Sequence, residues 1–199
     1  MAKKSLLLIL GNQLFSIDNI KSLNPDKIFM AEDLGLSTYE NHHKLKILMI
    51  FSAMREKRDE LISNSFDVDY TEIEDPDFNL TFEEKLEKCI KQNDIKKLNI
   101  FEIEDKPFEK RIIAFSKKYN LDLTISASPM FLIKRDEFLE LKGNSKVIRM
   151  ANFYKNAKEY EQAIKYYTIV LGIVGDDLEI KSDLFKLIIQ SSIMRRKMI

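Results

Sequence analysis

The residues with the widest chemical repertoire in this chain are His42 and His43, its only histidines. A metal gripped from one helix face needs ligands three or four positions apart. Adjacent helical residues point about 100° apart, so this pair cannot close on one ion. No H-E-x-x-H pattern occurs. The pair reads as a polar helix start near solvent, or as hydrogen-bond donors at the edge of a crevice. Glu32 and Asp33 end an apolar run, where dinucleotide sites place an acid against a ribose hydroxyl. Loop acids also serve solubility. Glu102, Glu104 and Asp105 end a second such run. Paired carboxylates can move protons, although loop charge is the simpler reading. Two adjacent histidines support neither a Ser-His-Asp nor a Cys-His arrangement. Gly11–Asn12–Gln13 breaks the apolar run Leu6–Leu10, without G-x-G-x-x-G and with no G-K-S/T in the chain. A tight strand exit explains it, and backbone N–H groups at a following helix start can also hold a phosphate or a ring carbonyl.

Composition narrows the classes. The 199 residues are 45% apolar and 32% charged, with a formal net charge of zero. The whole molecule is therefore not drawn to nucleic acid or anionic lipid by charge. Phe66–Glu84 holds eight acids and no base, while Arg195, Arg196 and Lys197 make the end basic. The acidic stretch argues against DNA binding by this chain alone. Cys89 is the only cysteine. That excludes an internal disulfide, a cysteine-built zinc site and a four-thiolate cluster, and it suits a reducing cytoplasm. Cys89 reads as a buried small apolar residue. No signal peptide is visible, and no stretch approaches the about 20 apolar residues of a membrane span.

Five short apolar runs read as strands: 5–10, 27–31, 67–73, 98–103 and 121–125. Longer charged segments of helical period lie between the later ones, roughly at 41–64, 81–92 and 107–119. Thr81 with Glu84 predicts a capping box, and Pro107 suits a first helical turn. Alternation of this kind predicts an α/β fold: a doubly wound parallel five-stranded sheet of order 3-2-1-4-5. In such a sheet the ligand crevice lies beyond the carboxyl ends of the strands where the order reverses, at strands one and four. Gly11–Gln13, the loop after strand two and the loop after strand four then share one edge. The helix from about residue 41 is so apolar at its start (Leu45, Ile47, Leu48, Met49, Ile50, Phe51) that it should be covered on most sides. Beyond Ser126 there is no clear sixth strand. A short helix is expected at 134–141, ended by Gly143–Asn144, and then a C-terminal helical hairpin. The domains are thus 1–146 and 147–199.

In order along the chain, LLLILGNQL, MAEDLGLSTYENHHKLKILMIFSAMREKRDEL, VDYTEIEDPD, SPMFLIKRDEF and IRMANFYK resemble the amino-terminal domain of the photolyase-related proteins. These are the prokaryotic iron–sulfur branch of photolyases and cryptochromes. The likeness spans about residues 4–155. Its most specific part is Tyr39, His42, His43 and Lys44 followed by Phe51–Arg55. The resemblance implies a Rossmann-like antenna domain of a light-driven DNA repair enzyme, a deoxyribodipyrimidine photolyase-like lyase. It implies a ribityllumazine or flavin-like antenna here, and FAD with a four-cysteine cluster in a larger helical domain, where FAD passes an electron to the lesion. The implied antenna site comprises Gly11, Asn12, Gln13, Glu32, Leu36, Tyr39, His42, His43 and Glu102. Asn12 stands where the family usually has an acid that contacts the antenna, and Leu36 where a second acid is common. An amide is a weaker acceptor than a carboxylate, and leucine is none.

After Lys155 the likeness ends. NAKEYEQAIKYYTIVL resembles one tetratricopeptide hairpin, with Ala163 at the close-packing position; Tyr160, Ile164, Tyr167 and Leu171 also form a plain core-facing stripe. With one cysteine and only 147–199 beyond the α/β body, neither an FAD domain nor an iron–sulfur cluster is expected in this chain, and no repair by it alone. Three readings stay open. The chain is a truncated, isolated antenna-type domain linked to light-dependent DNA repair, a non-catalytic module whose helical tail binds a protein partner, or a non-functional remnant.

Overall fold

The computed structural model describes residues 3–131, 134–144 and 164. Two compact units divide the chain, residues 1–132 and 133–199. In the first, β1 (Ser5–Leu8), β2 (Lys27–Ala31), β3 (Val68–Thr71), β4 (Lys97–Phe101) and β5 (Asp122–Ser126) form one sheet of order β3-β2-β1-β4-β5. Every pairing is parallel, with Leu7 opposite Ile28, Leu8 opposite Ile100 and Met30 opposite Tyr70. The expected α/β class and strand order are those observed.

The strands carry continuous apolar runs because both sheet faces are covered. Leu6 and Leu8 pack on one side, with Phe82, Leu86 and Cys89 of α4 (Phe82–Asn93) and Phe108, Ile112 and Phe115 of α5 (Lys106–Lys118). Leu7 packs on the other, with Ile20 of α1 (Ile17–Lys21) and Met54 and Leu61 of α3 (Lys44–Ser63). The short α2 (Leu34–Thr38) follows β2. Helix α4 begins in the expected capping box of Thr81 and Glu84, and Pro107 lies in the first turn of α5. Such a cap is worth about 1 kcal/mol. Cys89 is buried, and burial pushes its thiol pKa up, with the charge of Asp69 adding to the effect.

Several expectations change. The exit of β1 leaves the sheet two residues early, and α3 starts at Lys44 rather than near residue 41. Helices α1 and α2 and a 3₁₀ turn at Pro76–Asn79 stand where loops were expected. The start of α3 is not covered on most sides: Leu45, Leu48 and Met49 are exposed. Only one flank of its first turns meets the domain, because the strand ends below it leave a cleft rather than a packed layer. In the second unit α6 spans Arg135–Lys142 and ends at Gly143, whose φ of 50° is a conformation glycine adopts without penalty. The hairpin expected at 147–199 lies outside the described residues, apart from Ile164.

Candidate functional site

The cleft of about 320 Å³ lies at the carboxyl ends of β1, β2 and β4. Each wall follows from an element already placed. The exit of β1 contributes Leu10, Gly11 and Asn12, and the end of β2 contributes Ala31 and Asp33. Leu36 and Ser37 come from α2, Ile103 and Asp105 from the loop after β4, and Phe108 from α5. Helix α3 forms the remaining wall with Ile47, Ile50, Phe51 and Met54. Their spacing of three, four and seven puts them on one face. Tyr39, His42 and Lys46 complete the lining.

Gly11 is set by the approach of α3. A Cβ there would lie 2.9 Å from Ile50 Cγ2 and 2.9 Å from Met54 Sδ. The helix can pass over the β1 exit only because no side chain stands between them. Two hydrogen bonds then tie this exit to the loop after β4. Asn12 Nδ2 donates to Glu104 Oε2 at 3.0 Å, and Gln13 Nε2 donates to the Glu102 carbonyl at 2.8 Å. The loops after β1 and β4 therefore form one rim, as parallel neighbours in the sheet require.

Two buried acids sit at the end of β2 and do different work. Asp33 caps α2 by accepting from Leu36 N at 2.8 Å, and its other oxygen pairs with Lys85 Nζ at 2.7 Å. Lys85 reaches it from α4 through the first core and also donates to the Glu32 carbonyl at 3.3 Å. The Glu32 side chain is fully buried and turned toward other partners. It accepts from Arg55 Nε at 2.5 Å and from an Arg55 terminal nitrogen at 2.9 Å, from Tyr70 Oη at 2.9 Å and from Ile73 N at 2.8 Å. Burial alone would raise its pKa, but the donors from Arg55, Ile73 and Tyr70 outweigh it and hold the carboxyl below its ordinary range. The same contact, after burial itself, drives the Tyr70 pKa up, and the hydrogen bond to Glu32 raises that of Arg55. Glu32 thus locks α3 to the sheet.

Of the residues singled out from sequence, Gly11, Asn12, Leu36, Tyr39 and His42 come together around the cleft. The Tyr39 and His42 rings meet edge to face, 5.8 Å apart, and Lys46 Nζ lies 3.4 Å from His42 Nδ1. Four others stand outside the lining. Gln13 and Glu32 make the bonds given above. His43 caps α3, its Nδ1 accepting from Leu45 N at 3.2 Å. The Glu102 carboxylate accepts from Ser128 N at 3.3 Å. Among the described residues no cluster of histidine, cysteine and acid could hold a metal, and no helix is long and apolar enough to cross a membrane.

Sequence reasoning missed Asp33 as half of a buried ion pair, Glu104 as the partner of Asn12, and Ile47, Ile50, Phe51 and Met54 as a wall. The helical spacing of the last four was a usable signal. The two polar pairs left none, because they join residues 52 and 92 positions apart. The lining has apolar walls and a few placed polar groups. Its volume lies at the lower end of the roughly 300–1,000 Å³ of small-molecule sites.

A family model described as deoxyribodipyrimidine photo-lyase-related protein matches residues 7–161, which include every residue of the cleft. The chain is also 28% identical over 157 residues to a (6-4) photolyase of Agrobacterium fabrum strain C58. That match covers 77% of this chain and 31% of the relative, so the chain spans about a third of the length of the curated protein it matches.

Proposed function

From the premise that the chain belongs to the deoxyribodipyrimidine photo-lyase-related family, we propose that its α/β domain is the light-harvesting part of a protein of light-dependent DNA repair. The observation that carries this reading is the apolar cleft at the strand ends, roofed by α3 and closed by Leu36 and Phe108. Its occupant is a ribityllumazine or flavin-like ring. When bound, such a ring absorbs near-ultraviolet or blue light and passes the excitation on. The residues of this chain hold and orient it. Ile47, Ile50, Phe51 and Phe108 exclude water from its faces, and Asn12, Asp33, Ser37 and Lys46 offer polar partners to its edge. Repair itself, with its electron transfer to a lesion, is assigned to none of these residues.

The test is a titration of the purified protein into 6,7-dimethyl-8-ribityllumazine and into riboflavin, followed by fluorescence. Binding should quench or shift the emission, and Ile47→Trp, which fills the cleft, should abolish the change. An emission spectrum unmoved by the wild-type protein at every concentration would refute the reading.

A further inference from the structure

Glu104 is the one described residue with a buried side-chain oxygen that meets no hydrogen-bond partner: Oε1 is enclosed and receives nothing among the described residues. The Glu32 carboxylate, by contrast, has both oxygens bonded. The single bond shown for the Glu104 carboxylate goes to Asn12, which lines the cleft. That bond has a directional consequence. An ionised carboxylate only accepts, so the end of the Asn12 amide that faces it must be the NH₂. The carbonyl Oδ1 of this cleft-lining residue is then the end left to accept from another donor. The negative charge behind the amide also polarises it, so that a donor reaching Oδ1 enters a chain of hydrogen bonds in which each strengthens the next.

We propose that Glu104 is a positioning residue which, through Asn12, makes the cleft selective for rings carrying an N–H at that edge, a lactam or imide, over the same rings alkylated on that nitrogen. The inference deepens the ring-binding reading above and rests on it. An N-alkyl group cannot donate and leaves Oδ1 facing carbon. A site built on a hydrogen bond rejects a ligand that lacks it more sharply than an apolar wall rejects a misfit. Neutral residues elsewhere on the rim cannot replace Glu104, because an amide in its place donates as readily as it accepts and no longer dictates which way Asn12 turns.

The experiment measures the affinity of riboflavin and of N3-methylriboflavin for the wild type, Glu104→Gln and Asn12→Ala, with a thermal melt of each to show that it is folded. The wild type should prefer riboflavin by about tenfold, as one net hydrogen bond allows. Both variants should bring that ratio close to one. A merely structural role for Glu104 would weaken both ligands together and leave the ratio alone. Equal wild-type affinities, or a ratio that survives in Asn12→Ala, would overturn the inference while leaving the cleft as a ring site. Binding of neither ring to the wild type would instead refute the ring site, and this inference with it.

Discussion

Lys85→Met is the most informative single perturbation of this domain. The Lys85 and Asp33 side chains are 1% and 3% exposed, and their charged atoms stand 2.7 Å apart. At an effective dielectric constant of about 20, unit charges at 2.7 Å attract by about 6 kcal/mol. Withdrawing both ions from water costs several kcal/mol each, so the pair as a whole contributes little. Breaking it is another matter. Methionine fills most of the lysine stem's volume but leaves the Asp33 carboxylate buried beside apolar residues, at a cost of about 3–5 kcal/mol. With a urea m-value of about 2 kcal/mol/M, the unfolding midpoint should fall by about 2 M. The double variant Asp33→Asn, Lys85→Met should recover most of this, to within about 1 kcal/mol of wild type. Asparagine keeps the cap on Leu36 N and needs no counter-charge. Equilibrium urea unfolding of wild type, both single variants and the double variant closes the cycle. A Lys85→Met midpoint within experimental error of wild type would refute the account. So would a double variant as unstable as the sum of the singles, since that would mean the two groups act independently.

Two further outcomes test the frame around the cleft. Gly11→Ala puts a methyl 2.9 Å from both Ile50 Cγ2 and Met54 Sδ. Overpacking of this kind should destabilise by about 1–3 kcal/mol and lift α3 from the β1 exit; a melting curve superimposed on wild type would show that α3 yields without cost. The second concerns pH. The Glu32 carboxyl has a folded pKa below its ordinary 4.5, so the unfolded chain takes up that proton first as the solution is acidified. The stability it contributes is complete above the unfolded value and drains away as pH falls through the folded one. Urea midpoints measured from neutral into acid should therefore fall less steeply for Glu32→Gln than for wild type, whatever the offset between them at neutral pH. Parallel acid limbs would show that Glu32 is not the titrating group.

What could be read from the sequence follows from the range of the forces involved. The sheet was legible because burial on both faces leaves uninterrupted apolar runs, and Leu6, Leu7 and Leu8 report that condition directly. The starts of α4 and α5 were legible because Thr81 and Pro107 act within one turn. Helices α1 and α2, five residues each, are too short to show a period at all. Helix α3 misled for a different reason. Its apolar residues serve two surfaces: Ile47, Ile50, Phe51 and Met54 wall the cleft, while Leu45, Leu48 and Met49 face outward. Summed hydrophobicity cannot separate a helix buried all round from one that borders a cavity.

The candidate site divides along the same line. Gly11, Tyr39 and His42 lie on segments whose position the parallel topology already dictates, so placing the sheet places them. Which acid faces the cleft is not set by topology. Glu32 and Asp33 are adjacent and equally plausible on spacing, yet one turns to Arg55 and Tyr70 and the other to Lys85 and the rim. That choice is made by the cations that α3 and α4 bring to opposite faces of β2. Arg55 lies on one side of the strand and Lys85 on the other, and successive side chains of an extended chain point to opposite faces. The acid nearest a given cation is therefore fixed by parity along β2. A one-residue slip that carried Glu32 to the place of Asp33 would bring Glu32 to Lys85 and the cleft and set Ala31 against Arg55.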